Sequence, residues 1–351
     1  MGQNNDIDIF YSRLIENNLG ALWKDLALMC AREPAPKDNS CHWNWSIVRE
    51  LLLKAEFLPL GKDAERRVLY LQNPELKKIG QYGGTTTTLY TGVQLLLPGE
   101  VAPAHRHSQA AIRFIIEGSG AFTTINGDKI LMEPGDLILT PAGVWHDHGH
   151  EGDKPVIWMD GLDVGIVNHF NASFFEGYEH EFQTPGPISD GSYLRFGNGA
   201  FRSINARNTA GENYSLLKFQ WRDALASIKK LETLGDINCF DGYGIEYRDP
   251  RTGMHADKRL GTQLQMLPIN FNSAAHRHVH SSVFHVKSGE GFSMIDGQKI
   301  EWQSGDFFTI PAWAVHSHVN TGDDQAFLFS INDKPSLELL GLERELAISD
   351  I

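Results

Sequence analysis

The chain has 351 residues, 41% hydrophobic and 21% charged, enough for two domains with sizeable cores. Lys and Arg total 31 against 44 Asp and Glu, a net charge of −13. That balance speaks against a general nucleic-acid binder, which shows a basic surface, and any anionic ligand must be met by local cations. No apolar run approaches the roughly 18 residues of a membrane span. The N-terminus lacks the basic-then-apolar pattern of a secretory signal. Three cysteines, Cys30, Cys41 and Cys239, make no disulfide framework and fit a reducing, cytoplasmic compartment.

Taken in order, residues 7–32 and 46–56 space apolar side chains at helical period and predict an N-terminal helical arm over residues 1–60. From about residue 66 the texture changes to short β-rich runs broken by Gly, Pro and Asn-Gly. That rhythm means an all-β sandwich or barrel. It occupies 61–183, and a Gly/Ser/Asn/Pro-rich connection over 184–245 follows, carrying one helix at 222–234. The strand rhythm returns over 246–351 and closes with a helix at 336–347.

The two β regions are copies of each other. HRHSQAAIRFIIEGSG, starting at His105, aligns with HRHVHSSVFHVKSGEG, starting at His276. The match continues through Gly135-Asp136 with Gly305-Asp306, Pro141 with Pro311, His146 with His316 and His148 with His318. Residues two apart on a strand share a face, so His105 and His107 can converge on one ion. A strand and tight turn over GDLILTPAGVWH would bring His146 back to them. Three neutral nitrogens on one side of a metal leave the other positions open, as catalysis needs. One His-x-His pair is a common surface feature. Two pairs, each with a third His at matched spacing, predict a metal site in each copy: His105, His107 and His146, then His276, His278 and His316.

Gly99 with His105 and His107, then Gly135, Pro141, Gly143 and His146, resemble the two cupin motifs. Their duplication makes the chain resemble a bicupin, which implies two jelly-roll β-barrels with peripheral helices and the helical arm. The Glu usual four or five residues after the second His is replaced by Ala111 and Ile112, and by Ser282 and Val283 in the second copy. That departure favours three-His cupins carrying Fe(II), one per barrel, over manganese oxalate enzymes. The flanking words ERRVLYLQNP, LPGEVAPAHRHSQAAIRFIIEGSGAFT and PGDLILTPAGVWHDHGHEGDKPVIWMDGLD resemble the gentisate 1,2-dioxygenase family. The resemblance implies ring opening between the carbons bearing the carboxylate and the ortho hydroxyl, giving maleylpyruvate from gentisate, in a homotetramer. Salicylate or 1-hydroxy-2-naphthoate are rival substrates. A non-catalytic sensor or storage bicupin, or a metal-dependent isomerase or decarboxylase, are rival functions.

Arg113 lies an even number of residues after both His105 and His107, which predicts the same face of one continuing strand. A cation there needs an anion to meet it, and an Arg fork matches a carboxylate, so Arg113 is the expected substrate clamp. His148, two residues after His146, is a candidate to accept the phenol proton or bond the substrate. Asp160 is a candidate to orient His148 or Arg113, or to bond a ring hydroxyl. Gln94 is an inward polar candidate; the resemblance places it beside the substrate with Gly92 and Tyr90. Arg66 or its neighbour Arg67 is a second anion contact, the choice left open. In the second copy Phe284 and Ser330 stand opposite Arg113 and Asp160, so the two sites should have unequal duties.

Overall fold

Asn126-Gly127 and Asp296-Gly297 both take positive φ at the two turn positions, 45° and 83°, then 47° and 79°. That is the two-residue hairpin turn whose twist suits flanking strands. It joins Ala121–Ile125 to Asp128–Leu131 in one copy and Glu290–Ile295 to Gln298–Gln303 in the other. The computed structural model describes residues 2–58, 66–201, 204 and 216–348. The expected start of the first barrel at 61–65 and much of the connection, 205–215, lie outside the described residues.

Each copy builds a six-stranded and a five-stranded sheet, as a double-sheet jelly roll requires. In the first, the six-stranded sheet runs Lys218–Phe219, Leu137–Thr140, Ala111–Glu117, Val156–Leu162, Tyr90–Leu96, Arg67–Tyr70. Its five-stranded partner runs Phe175–Gly177, Val101–His107, His146–His150, Ala121–Ile125, Asp128–Leu131. The second copy repeats this order, with His42–Trp43 in the place of Lys218–Phe219 and Glu345–Ala347 in the place of Phe175–Gly177. So the segment expected as an arm lends a strand to the second barrel, and the connection lends one to the first.

The six-stranded sheets carry almost unbroken apolar runs because both of their faces are buried. Ile112, Phe114, Ile157 and Met159 face the other barrel and form one core with Leu264, Val283, Phe329 and Ile331. Phe114 stacks on Phe329 with centroids 4.1 Å apart. The alternate positions Leu96, Ile115 and Trp158 fill the inside of the first barrel. By the same alternation Gln94, Arg113 and Asp160 point inward.

Two helices strap the barrels crosswise. Trp45–Lys54 begins where the Trp45 N–H donates to Asp306 Oδ1 (2.8 Å) of the second barrel, and then packs on the Arg67–Tyr70 and Tyr90–Leu96 strands of the first. Trp221–Leu234 begins where the Trp221 N–H donates to Asp136 Oδ1 (3.0 Å) of the first, and packs on the Tyr243–Glu246 and Gly261–Leu267 strands of the second. The repeated Gly-Asp pair explains this start. At Gly305, with φ +94°, an added Cβ would lie 2.3 Å from Trp45 Cδ1. Gly305→Ala is therefore expected to cost about 2–4 kcal/mol from overpacking and backbone strain. Gly99→Ala, with φ +76° but nothing within 4 Å, should cost less. Denaturant midpoints of the two variants check this.

Four expectations change in detail. The 7–32 helix is two, Gly2–Glu16 and Leu22–Met29, parted where Asn18 takes φ 54°. Residues 1–35 form a compact unit by themselves, and the strap helix belongs to the unit 36–351. The terminal helix is shorter than expected, Lys334–Leu340, because Gly341 ends it in the left-handed conformation (φ 69°). Glu345–Ala347 then pairs as an edge strand with His276–His278. The expected connection also holds a short helix, Gly191–Phe196.

Candidate active site

In the five-stranded sheet of the first barrel, Val101–His107 pairs with His146–His150 so that His105 stands opposite His146. The His105 and His146 rings are 4.2 Å apart and those of His107 and His146 4.9 Å. One ligand nitrogen from each of the three lies within 4.8 Å of the others. Each Nδ1 faces a backbone carbonyl: Pro103 at 2.7 Å, Gln109 at 3.0 Å and Val144 at 3.0 Å. A carbonyl only accepts, so each Nδ1 carries the proton and each Nε2 keeps its lone pair. Burial, reinforced by the Arg66 guanidinium, pushes His105 down to about 3, and burial pushes His107 down to about 4. Burial also holds His146 well below its ordinary value. All three imidazoles are neutral at pH 7, as metal ligation requires. The Nε2 of His146 is buried with no hydrogen-bond partner. Such an orphan calls for an explanation, and a metal ion supplies one.

A cavity of 320 Å³ adjoins the triad, lined by Arg66, Tyr90, Gln94, His107, Arg113 and Asp160 among others. Arg113 reaches it by a route different from the expected one. The strand carrying the two His residues ends at His107, the chain turns over 108–110, and Arg113 sits on Ala111–Glu117 of the opposite sheet. Even spacing within one strand is therefore not the reason it faces the site. Its Nε lies 3.0 Å from Asp160 Oδ1, and its Nη1 donates to Thr140 Oγ1. Asp160 also accepts from Trp158 Nε1 at 2.9 Å. Burial works against the charge on both Arg113 and Asp160, and each is the other's counter-charge.

The Arg66 and Arg67 question resolves spatially. Arg67 turns away, its Nη1 2.7 Å from Glu100 Oε2 and its Nη2 donating to the Leu58 carbonyl at 2.6 Å. Arg66 lines the cavity, with Nη2 2.7 Å from His105 Nε2. Gly92 packs against Val68 and Tyr90: a Cβ there would meet Val68 Cγ1 at 2.7 Å and the Tyr90 hydroxyl at 2.8 Å. Burial pushes the Tyr90 phenol up, with Asp160 adding to it. His148 is buried 5.9 Å from the His146 ring and 5.5 Å from Trp158, with neither ring nitrogen partnered. It is not among the cavity's lining residues.

Sequence reasoning missed Gln109, Phe174 and Phe175, which also line the cavity. Phe175 stacks on His105 with centroids 5.2 Å apart. The two Phe residues lie outside the repeated words, so only strand pairing of Phe175 with His107 reveals them.

The second barrel places His276, His278 and His316 in the same arrangement. His278 and His316 donate from Nδ1 to the carbonyls of His280 (2.7 Å) and Ala314 (2.9 Å). Phe284 stacks on Phe308 where the first barrel has Arg113, and the Ser330 hydroxyl is buried without a partner where the first has Asp160.

The cupin domain profile matches residues 92–165 and 263–332, one stretch in each barrel. The chain is 36% identical over 337 residues to gentisate 1,2 dioxygenase 1 of Aquipseudomonas alcaligenes, covering 96% of this chain and 95% of the relative. The chain belongs to the gentisate 1,2-dioxygenase family. It is 34% identical to a second member, 5-aminosalicylate 1,2-dioxygenase of Comamonas sp, covering 97% of this chain and 90% of that one. The crystal structure of salicylate 1,2-dioxygenase from Pseudoaminobacter salicylatoxidans, an adduct with gentisate, superposes with a TM-score of 0.87 at 30% identity, covering 98% of this chain and 94% of that one. As a member of the gentisate 1,2-dioxygenase family the chain is a bicupin dioxygenase, and its two His triads are positioned to hold metal.

Proposed function

We propose that the first barrel binds Fe(II) through His105, His107 and His146 and opens the ring of gentisate between its carboxyl-bearing and ortho-hydroxyl-bearing carbons. Gentisate takes up both atoms of O2 and becomes maleylpyruvate. The observation that carries this reading is a neutral three-His cluster beside a small cavity holding two guanidinium groups. Fe(II) in that cluster would connect an electron-rich ring to O2. The side chains then have separate tasks. Arg113 receives the substrate carboxylate as a fork, and Asp160 holds that fork in place. Arg66, which also lines the cavity, would supply a second cation beside that cluster. Gln94 and Tyr90 offer hydrogen bonds to the ring hydroxyls, and Gly92 keeps the Tyr90 hydroxyl close to the cavity. Phe174 and Phe175 form an apolar wall that keeps water from the ring. His148, expected as a proton acceptor, lies outside the cavity lining and burial lowers its basicity, so it is given no contact with the substrate. At 320 Å³ the cavity is at the small end of ligand pockets, about 300–1,000 Å³, which suits a single ring better than a naphthalene.

We read the second triad as a further Fe(II) site, two per chain, without the carboxylate clamp. We also infer a homo-oligomer, a tetramer as the family resemblance implies; the exposed apolar side chains Ile7, Ile9, Phe10, Trp23 and Leu28 of the N-terminal helices fit contact with another subunit. Light scattering reads its mass. The three unpaired cysteines fit the cytoplasm.

The test is oxygen uptake by Fe(II)-loaded protein given gentisate, with ring-opened product followed in parallel. Equal oxygen loss and product gain is the expected result. Uptake with salicylate, 5-aminosalicylate or 1-hydroxy-2-naphthoate but not gentisate would move the substrate. Silence on all of them, with iron bound, would overturn the catalytic reading in favour of a sensor or storage protein.

A further inference from the structure

Both barrels close the turn after their His-x-His strand in the same way. In the first, the N–H of Ala110 donates to Asp163 Oδ1 at 2.9 Å, and in the second the N–H of Ser281 donates to Asp333 Oδ1 at 2.7 Å. In each case the other carboxylate oxygen is met from across the barrel interface, by the residue two places before the opening strand Tyr90–Leu96 or Gly261–Leu267. Asp333 Oδ2 accepts from the Thr88 hydroxyl at 2.7 Å. Asp163 Oδ2 lies 2.8 Å from Arg259 Nε, and the Asp163 side chain is wholly buried. The equivalent positions thus hold a neutral hydroxyl on one side and a guanidinium on the other.

The guanidinium does something the hydroxyl cannot. Arg259 Nη2 also donates to the Ser108 carbonyl at 2.8 Å. One ion pair therefore grips the turn at both ends, Ser108 through Arg259 and Ala110 through Asp163. The residue between them is Gln109, whose carbonyl accepts from Nδ1 of His107 at 3.0 Å. That bond sets the tautomer and ring angle of a metal-ligating imidazole. Loss of a group that orients a ligand in this way typically costs about 10–100-fold in metal affinity.

We propose that Arg259, although it belongs to the second barrel, is a positioning residue for the metal triad of the first. The inference rests on the reading of His105, His107 and His146 as metal ligands. It assigns the second barrel a part in the first site that does not depend on the second barrel's own metal.

The test uses the full chain with His316→Ala, so that bound metal reports on the first triad, and measures Co(II) affinity by chelator competition. Adding Arg259→Met should weaken Co(II) binding about 10–100-fold. Arg259→Lys keeps a cation for Asp163 but lacks the fork that also reaches Ser108, so it should fall between Met and Arg. In the complementary His146→Ala chain, where the second triad is measured, Arg259→Met should leave Co(II) affinity within twofold. A merely structural role would weaken both triads alike, or lower only the unfolding midpoint. Either of those results, or an unchanged first-triad affinity, would overturn the proposal. If the His316→Ala chain with Arg259 intact holds no Co(II), the metal reading itself fails and the proposal falls with it.

Discussion

His146→Ala should remove metal from the first triad and reduce gentisate turnover by at least about 10³-fold, the equivalent of roughly 4 kcal/mol of lost metal assistance. His146 is the apex of the cluster: it stands opposite His105 in the sheet, and its Nε2 is the buried nitrogen without a partner. Two remaining imidazoles from one strand cannot enclose an ion. His316→Ala removes the corresponding ligand of the second triad. Its expected loss of turnover is under about tenfold, since no Arg or Asp stands beside that triad at the clamp positions, where Phe284 and Ser330 are found. Metal content and steady-state oxygen uptake of the two variants check both statements. Equal losses would show that the second barrel also turns over substrate, or that its metal holds it together.

Arg113→Leu should raise the KM for gentisate about 10–150-fold, the 1.5–3 kcal/mol of a hydrogen bond to a charged group, while leaving first-triad metal in place. The structure adds a second consequence. Arg113 and Asp160 are 3% and 7% exposed, so removing the guanidinium strands a buried carboxylate. That is expected to destabilise the fold by about 3–5 kcal/mol. Asp160→Asn on the same chain removes the stranded charge. The double variant should recover stability without recovering substrate affinity, which separates the clamp from its support. Saturation curves and denaturant midpoints for the single and double variants measure this. Unchanged saturation in Arg113→Leu would remove Arg113 from the substrate site.

Much of the site was legible because its signals are local. His105 and His107 share a face by strand geometry, and the Gly and Pro residues before His146 mark the turn that returns it. Asn126-Gly127 and Asp296-Gly297 announce their hairpins by residue type. Arg113 was found by an argument that the structure does not follow. The chain turns sharply after His107, so Arg113 arrives from the facing sheet, and parity along one strand had no bearing on it. Phe174 and Phe175 left no trace, since an aromatic pair after a short helix reads like any other apolar contact.

The sequence by itself determined the duplicated all-β architecture, the two His triads and the inward polarity of Gln94. Period-two alternation, turn chemistry and repeat spacing are properties of short segments, and a short segment carries them wherever it folds. Only the tertiary structure decided that Arg66 and not Arg67 faces the cavity, that Trp45–Lys54 and Trp221–Leu234 strap the barrels crosswise, and that Arg259 grips the turn beside His107. These depend on which surfaces meet when the two six-stranded sheets pack back to back. The Arg259–Ser108 hydrogen bond spans 151 residues of sequence. No local pattern encodes a contact at that separation, because its geometry comes from the packing of two sheets that share one core.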